Sequence, residues 1–217
     1  MDGREVVQVN PGGIPDNPFG VSLPVDATLI PFLILFLATG IASAIAEKVI
    51  GRISLGPKGR WDRFSLLLLN LVQSSGSTFL VVTTLFWSPQ FCHVVAGGLV
   101  NLLGIVIAWT GILIRLRAKR VLGRFFTARV AILPDHRLVE EGPYRLIRHP
   151  GYLGALLIYL GLPLSVGHFW AILWLWLPTL AAMIYRIVVE ERALIEGLGD
   201  VYRQYQARTA RLIPHLW

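Results

Sequence analysis

The chain has 217 residues, of which 54% are hydrophobic and only 15% charged, with a mean hydropathy of +0.61. Those values lie outside the range of soluble domains and point to an integral membrane protein. The formal net charge of +7 is not a nucleic-acid signal: of the 20 Lys and Arg, five fall at 48–63, nine at 115–148 and five at 186–211, following the apolar segments. The single cysteine, Cys92, excludes an intramolecular disulfide and a cysteine-based metal site.

In chain order, residues 1–24 are polar and carry Pro11, Pro15, Pro18 and Pro24, the composition of a flexible arm rather than a cleavable signal peptide. Crossing a bilayer as helix takes about 20 apolar residues. Such windows fall at 25–46, 64–87, 94–114, 151–167 and 169–189. The expected fold is an all-α polytopic transmembrane bundle of about five spans. Residues 25–114 supply three spans. Residues 115–217 add a cytoplasmic loop, a helical hairpin and a C-terminal amphipathic helix. All three basic segments lie on one side of this arrangement, so the positive-inside rule puts them in the cytoplasm and the N-terminus outside.

Within the spans, Gly97, Asn101, Gly104, Ala108 and Gly111 form a stripe of small residues that lets a neighbouring helix approach closely. Asn70, Gln73, Ser74, Ser77 and Thr84 form a polar stripe on the second span. They are expected to face the bundle and hydrogen-bond there, or alternatively to line a substrate groove. Trp61 and Tyr185 at one boundary, and Trp87 and Trp170 at the other, fit interfacial anchoring. Pro163 and Pro178 are expected to kink the last two spans.

Two polar clusters carry the chemistry. Residues 142–152, GPYRLIRHPGY, place a turn, two arginines, a histidine and two tyrosines at the mouth of the fourth span. Ionisable groups there are anchors or parts of a site. Pro150 opens the helix, whose free first-turn N–H groups could seat an anion beside His149 and Arg148; holding lipid head groups is the alternative. Arg186 and Glu190 share a helix face, which fits an ion pair, and the Glu190-Glu191 pair leaves a carboxylate for a ligand. Because the last two spans are antiparallel, both clusters emerge on the same side. Ala193 to Leu212, with Leu194, Leu198, Val201 and Tyr205 on one stripe, is expected to lie on the membrane surface.

His136-Arg137-Leu138-Val139, Gly142-Pro143-Tyr144, Arg148-His149-Pro150-Gly151-Tyr152, Arg186 with Glu190-Glu191, and Tyr202 and Tyr205 before Ile213-Pro214 together resemble the isoprenylcysteine carboxyl methyltransferase family. Related phospholipid methyltransferases share the His-Pro and Glu-Glu elements. The resemblance spans about residues 115–217. It implies S-adenosylmethionine as methyl donor, contacted by His136 to Val139, Tyr144, His149 to Tyr152 and Glu190. Arg186 would face a lipidic or lipid-anchored acceptor, such as the carboxylate of a prenylated cysteine. A carboxylate acceptor needs only orientation. An amine would need a base, for which Glu191 or His149 is the candidate. A lipid reductase using NADPH and a non-catalytic binding protein are the competing readings.

Overall fold

Residues 64–86, 98–127, 129–130, 132–133 and 135–214 are described by a computed structural model. Among them the chain is helical: α1 is Ser65–Phe86, α2 Gly98–Leu122, α3 Pro150–Ser165, α4 Leu177–Leu198 and α5 Asp200–Arg208. No strand occurs among the described residues; Ile147 and Ala210 form an isolated parallel bridge. The 25–46 window, the N-terminal arm, Trp61, Thr84, Trp87, Cys92 and Gly97 lie outside what is described, Thr84 as to its side chain. Gly98–Phe125 and Ile172–Leu198 are long and apolar enough to cross a membrane; Ser65–Val81 and Pro150–Ser165 are shorter apolar helices.

The small-residue stripe positions α2 directly on α3. A Cβ added at Gly111 would lie 2.5 Å from the Gly154 oxygen, and one at Gly161 would lie 2.5 Å from the Ala108 nitrogen. Both neighbours are backbone atoms, so the helices touch main chain to main chain. Asn101, 2% exposed, caps this seam by donating from Nδ2 to the Ser165 oxygen at 3.0 Å. Helix α2 extends eight residues beyond the predicted end at 114, because Arg115, Arg117, Lys119 and Arg120 are good helix formers and carry the helix out of the apolar zone. A turn of 3₁₀ helix, Gly123–Phe125, closes it.

Helix α3 contains Pro163 and ends two residues later. The next span begins with Phe169–Ala171 and a π-helical turn, Ile172–Trp176, and leads into α4. Pro178 thus lies within the continuous helical run Ile172–Leu198, directly after the π-helical turn. Helix α4 continues nine residues past the predicted end at 189. Gly199, with φ of +61°, then breaks it, a conformation that favours glycine. This corrects the expected surface helix. Ala193 to Leu198 belong to α4, and α5 is short. Its Tyr202 and Tyr205 are buried while Val201 is 57% exposed, so the expected apolar stripe does not form one face.

Beyond α5 the chain doubles back. The Arg148 N–H donates to the Ala210 oxygen at 2.8 Å and the His149 N–H to the Arg211 oxygen at 3.0 Å. Leu212 thereby enters the core formed by Leu69 of α1, Ala155 and Leu156 of α3, and Met183 and Ile187 of α4. The C-terminal segment straps the charged ends of α3 and α4 together.

Candidate active site

Gly142, at φ +56°, starts the 3₁₀ turn Gly142–Arg145, which buries Tyr144. Tyr205 Oη donates to the Tyr144 oxygen at 2.6 Å, so α5 holds this turn from the other side. At the start of α3, the Tyr152 and Leu153 N–H groups both donate to the His149 oxygen at 3.1 Å. Pro150 has no N–H to offer and does not line the cavity. The helix start presents at most the Gly151 amide, so the expected anion seat is largely closed.

The two acidic neighbours on α4 divide. Glu191 is 3% exposed and its carboxylate is fully engaged. Arg148 Nε donates to Oε1 at 2.8 Å, Arg211 Nε to Oε2 at 3.0 Å, and His149 Nε2 lies 3.4 Å from Oε1. Arg148 also donates from Nη1 to the Gln206 oxygen at 3.1 Å and to Thr209. This cage joins α3, α4 and the C-terminal strap. A buried carboxylate so surrounded is a structural counter-ion rather than a free base. Glu191 and His149, the residues expected to take a proton from an amine acceptor, face each other across this cage, and His149 also lines the cavity.

Glu190 turns the other way, into a cavity of about 530 Å³. Tyr152 Oη donates to Glu190 Oε2 at 2.5 Å and accepts from Arg186 Nε at 2.9 Å. Arg186, 3% exposed, also donates from Nη1 to Ser65 Oγ of α1 at 2.9 Å. A guanidinium, a phenol and a carboxylate thus stand in one row along the wall. Charge-assisted bonds of this kind are short and directional.

The cavity gathers most of the expected residues. His136, Arg137, Leu138 and Val139 line its loop side, with Tyr144, His149, Gly151 and Tyr152 at the α3 end and Arg186 and Glu190 on α4. Two polar atoms of cavity-lining residues, His136 Nδ1 and Tyr202 Oη, are buried without a hydrogen-bond partner among the described residues. Burial lowers the His136 pKa, partly opposed by Glu190 and Asp135, and so keeps the imidazole neutral. Burial, reinforced by nearby carboxylates, pushes the Tyr144 and Tyr202 phenols up, so they remain donors.

Some cavity residues escaped the sequence reading. Arg115 of α2 donates to the Gly151 oxygen at 3.1 Å and stacks on Phe126, 5.6 Å from the ring centroid. Its place four residues beyond Gly111, on the buried stripe, was the available signal. Asn70, Gln73 and Ser77 of α1, named from the sequence as a polar stripe, also line the cavity.

Known proteins resemble this chain in sequence and fold. The model of the isoprenylcysteine carboxyl methyltransferase (ICMT) family matches residues 102–196. A protein-S-isoprenylcysteine O-methyltransferase of Schizosaccharomyces pombe is 29% identical over 159 residues, covering 72% of this chain and 67% of that one. A methanethiol S-methyltransferase of Pseudomonas sp. (strain GM41(2012)) is 28% identical over 209 residues, covering 90% and 76%. The solved eukaryotic intramembrane Ras methyltransferase ICMT superposes with a TM-score of 0.61 at 21% identity, over 86% of this chain and 66% of that chain, a likeness of fold. This chain therefore spans about two thirds of the length of the yeast relative and of the solved structure. Residues 102–196, under half of the chain, carry the likeness to the isoprenylcysteine carboxyl methyltransferase family, and most of the motifs named from the sequence fall within them.

Proposed function

We propose that this protein is an integral membrane methyltransferase that uses S-adenosylmethionine to methylate a lipidic or lipid-anchored acceptor through a carboxylate. A prenylated cysteine is the acceptor named for the yeast relative. The reading carries with it five spans, an N-terminus outside, and a cavity opening to the cytoplasm beside the basic segments. One observation carries it: Arg186 and Glu190 flank the Tyr152 hydroxyl on the wall of a single cavity.

When bound, S-adenosylmethionine supplies a methyl group made electrophilic by its sulfonium. The donor set suits such a molecule. Glu190 would accept hydrogen bonds from ribose hydroxyls or an ammonium, and the unpaired His136 Nδ1 and Tyr202 Oη would serve its other polar groups. The Tyr144 and Tyr152 rings can favour a cation by about 0.5–2 kcal/mol. Arg186, fixed by Tyr152 and Ser65, would orient an acceptor carboxylate by paired N–H bonds. A carboxylate is already ionised, so proximity and alignment suffice and no base is required.

The cage around Glu191 engages both of its carboxylate oxygens, which favours this reading over an amine acceptor deprotonated by that residue. Relatives named as methyltransferases favour methyl transfer over the reductase and non-catalytic readings. The test is calorimetric titration of purified protein with S-adenosylhomocysteine. Micromolar binding that is lost in Glu190→Ala but kept in Arg186→Ala is expected, with methyl transfer lost in both. Absence of binding to the intact protein overturns the reading.

A further inference from the structure

The first turn of α3 anchors two opposite charges on consecutive residues. Arg115 donates from Nη1 to the Gly151 oxygen at 3.1 Å, and Glu190 accepts from the Tyr152 hydroxyl at 2.5 Å. Arg115 comes from α2 and Glu190 from α4, and both residues line the same cavity. The seam between α2 and α3 aims the arginine at this spot. Arg115 stands four positions after Gly111, where an added Cβ would meet the Gly154 oxygen, so one helix face carries both onto α3. Phe126 completes the contact: its ring centroid lies 5.6 Å from the Arg115 guanidinium, and a Cβ at Gly151 would come within 3.0 Å of its ring. A charge at the end of an apolar run is costly unless something uses it.

The fields of both charges reach one group. Tyr144 lines the cavity, and its phenol is raised by burial first and by Glu190 next, while Arg115 opposes them. Other arginines of the cavity are placed differently. Arg148 is held in the Glu191 cage, and Arg186 is bound to Tyr152 and Ser65. Arg129 and Arg137 line the loop side with no side-chain hydrogen bond to a described residue. A cation already fixed in place binds an anion at less entropic cost than one that must be ordered. The start of α3 cannot take that anion on its own, since the Tyr152 and Leu153 N–H groups are spent on the His149 oxygen.

Taking the cavity as the methyl-donor site, on which the inference rests, we propose that Arg115 and Glu190 form a clamp for a zwitterionic amino-acid group, Arg115 on its carboxylate and Glu190 on its ammonium. S-adenosylmethionine carries such a group at the end of its methionine chain. The clamp seats that end over the first turn of α3, beside Tyr144. A site that supplies both partners discriminates against analogues lacking either charge, because its own charge is then left unpaired.

The test is calorimetric titration of the full-length protein in lipid nanodiscs. The ligands are S-adenosylhomocysteine, its decarboxylated analogue, which keeps the ammonium, and its deaminated analogue, which keeps the carboxylate. The wild type is expected to bind the intact ligand at least about tenfold more tightly than either analogue. Arg115→Gln should weaken the intact ligand by roughly that factor and leave the decarboxylated analogue within about twofold. Arg115→Lys, which keeps the charge without the planar fork, should fall between the two. Glu190→Gln should show the mirror pattern, with the deaminated analogue unaffected. Arg117 is exposed, and Arg117→Gln should bind all three ligands as the wild type does.

Equal weakening of the intact and decarboxylated ligands in Arg115→Gln would make Arg115 a packing residue and overturn the proposal. An Arg117→Gln loss as large as that of Arg115→Gln would assign the effect to net charge and overturn it too. So would a decarboxylated analogue that binds the wild type as tightly as S-adenosylhomocysteine, a comparison that needs no variant to fold. Binding without dependence on the carboxylate defeats the clamp alone, whereas no binding of S-adenosylhomocysteine to the intact protein defeats the methyltransferase reading as well.

Discussion

Glu190 and Glu191 are sequence neighbours that point into different environments: Glu190 accepts from Tyr152 on the cavity wall, and Glu191 lies in a cage of Arg148, His149 and Arg211. Successive helix positions are rotated by about 100°, so one helix turn can serve a ligand and a scaffold at once. The two carboxylates should therefore fail differently. Glu191→Ala leaves Arg148 buried without its counter-ion, a change that typically costs about 3–5 kcal/mol. It should sharply lower the thermal midpoint in detergent. Glu190→Gln should leave the midpoint nearly unchanged and abolish S-adenosylhomocysteine binding. Equal midpoints for the two variants would contradict this division.

Tyr152→Phe isolates the row that joins Arg186 to Glu190. The ring and its stacking on His149, 5.5 Å between centroids, are retained. Two charge-assisted hydrogen bonds are lost. Bonds to charged groups are worth about 1.5–3 kcal/mol, so kcat/KM should fall by roughly ten- to a hundredfold. Because Arg186 would lose its orientation toward the acceptor, the loss should appear in acceptor turnover more than in S-adenosylhomocysteine affinity.

The seam between α2 and α3 gives a packing prediction. A Cβ at Gly154 would lie 2.6 Å from the Gly111 oxygen and 2.8 Å from the Arg115 nitrogen, neither of which can move without parting the helices. Gly154→Ala should destabilise by roughly 1–3 kcal/mol, the usual cost of overpacking. It should also weaken donor binding, because Arg115 reaches the Gly151 oxygen from the displaced helix. Leu113→Ala, on a side chain 63% exposed, is the control and should change neither.

Much of the site was legible because its residues are polar and sit where apolar windows end. The 142–152 loop, Arg186 and Glu190 stood out against the spans, and the cavity gathers them. The cage around Glu191 was not legible because spacing reports a helix face and not what packs on it. Its partner Arg211 comes from a segment that only the folded chain brings back. The same charges made residue 189 look like a membrane exit. Buried by the loop and the strap, they let α4 run on to Gly199. The polar stripe of α1 was visible, but choosing between helix contact and groove required knowing that α3 stands across a cavity from it.

Acid should weaken the fold through two histidines outside the spans. Burial lowers the pKa of His136 and of His168 below the ordinary 6.5, against smaller opposing influences. The unfolded chain therefore binds protons below pH 6.5 that the folded chain still refuses. Their contribution is intact above pH 6.5 and is lost progressively as pH falls from there toward the folded values. His168 is 4% exposed, and its Nδ1 accepts from the Ala171 N–H at 3.2 Å, a bond that protonation would remove. His136 is only half-buried, so its share is the smaller. Thermal midpoints measured near pH 7.5 and pH 5 should drop for the wild type. The drop should be smaller in His168→Gln and smaller again in the double variant with His136→Gln. An acid shift of the same size in all three would assign the pH dependence to other groups.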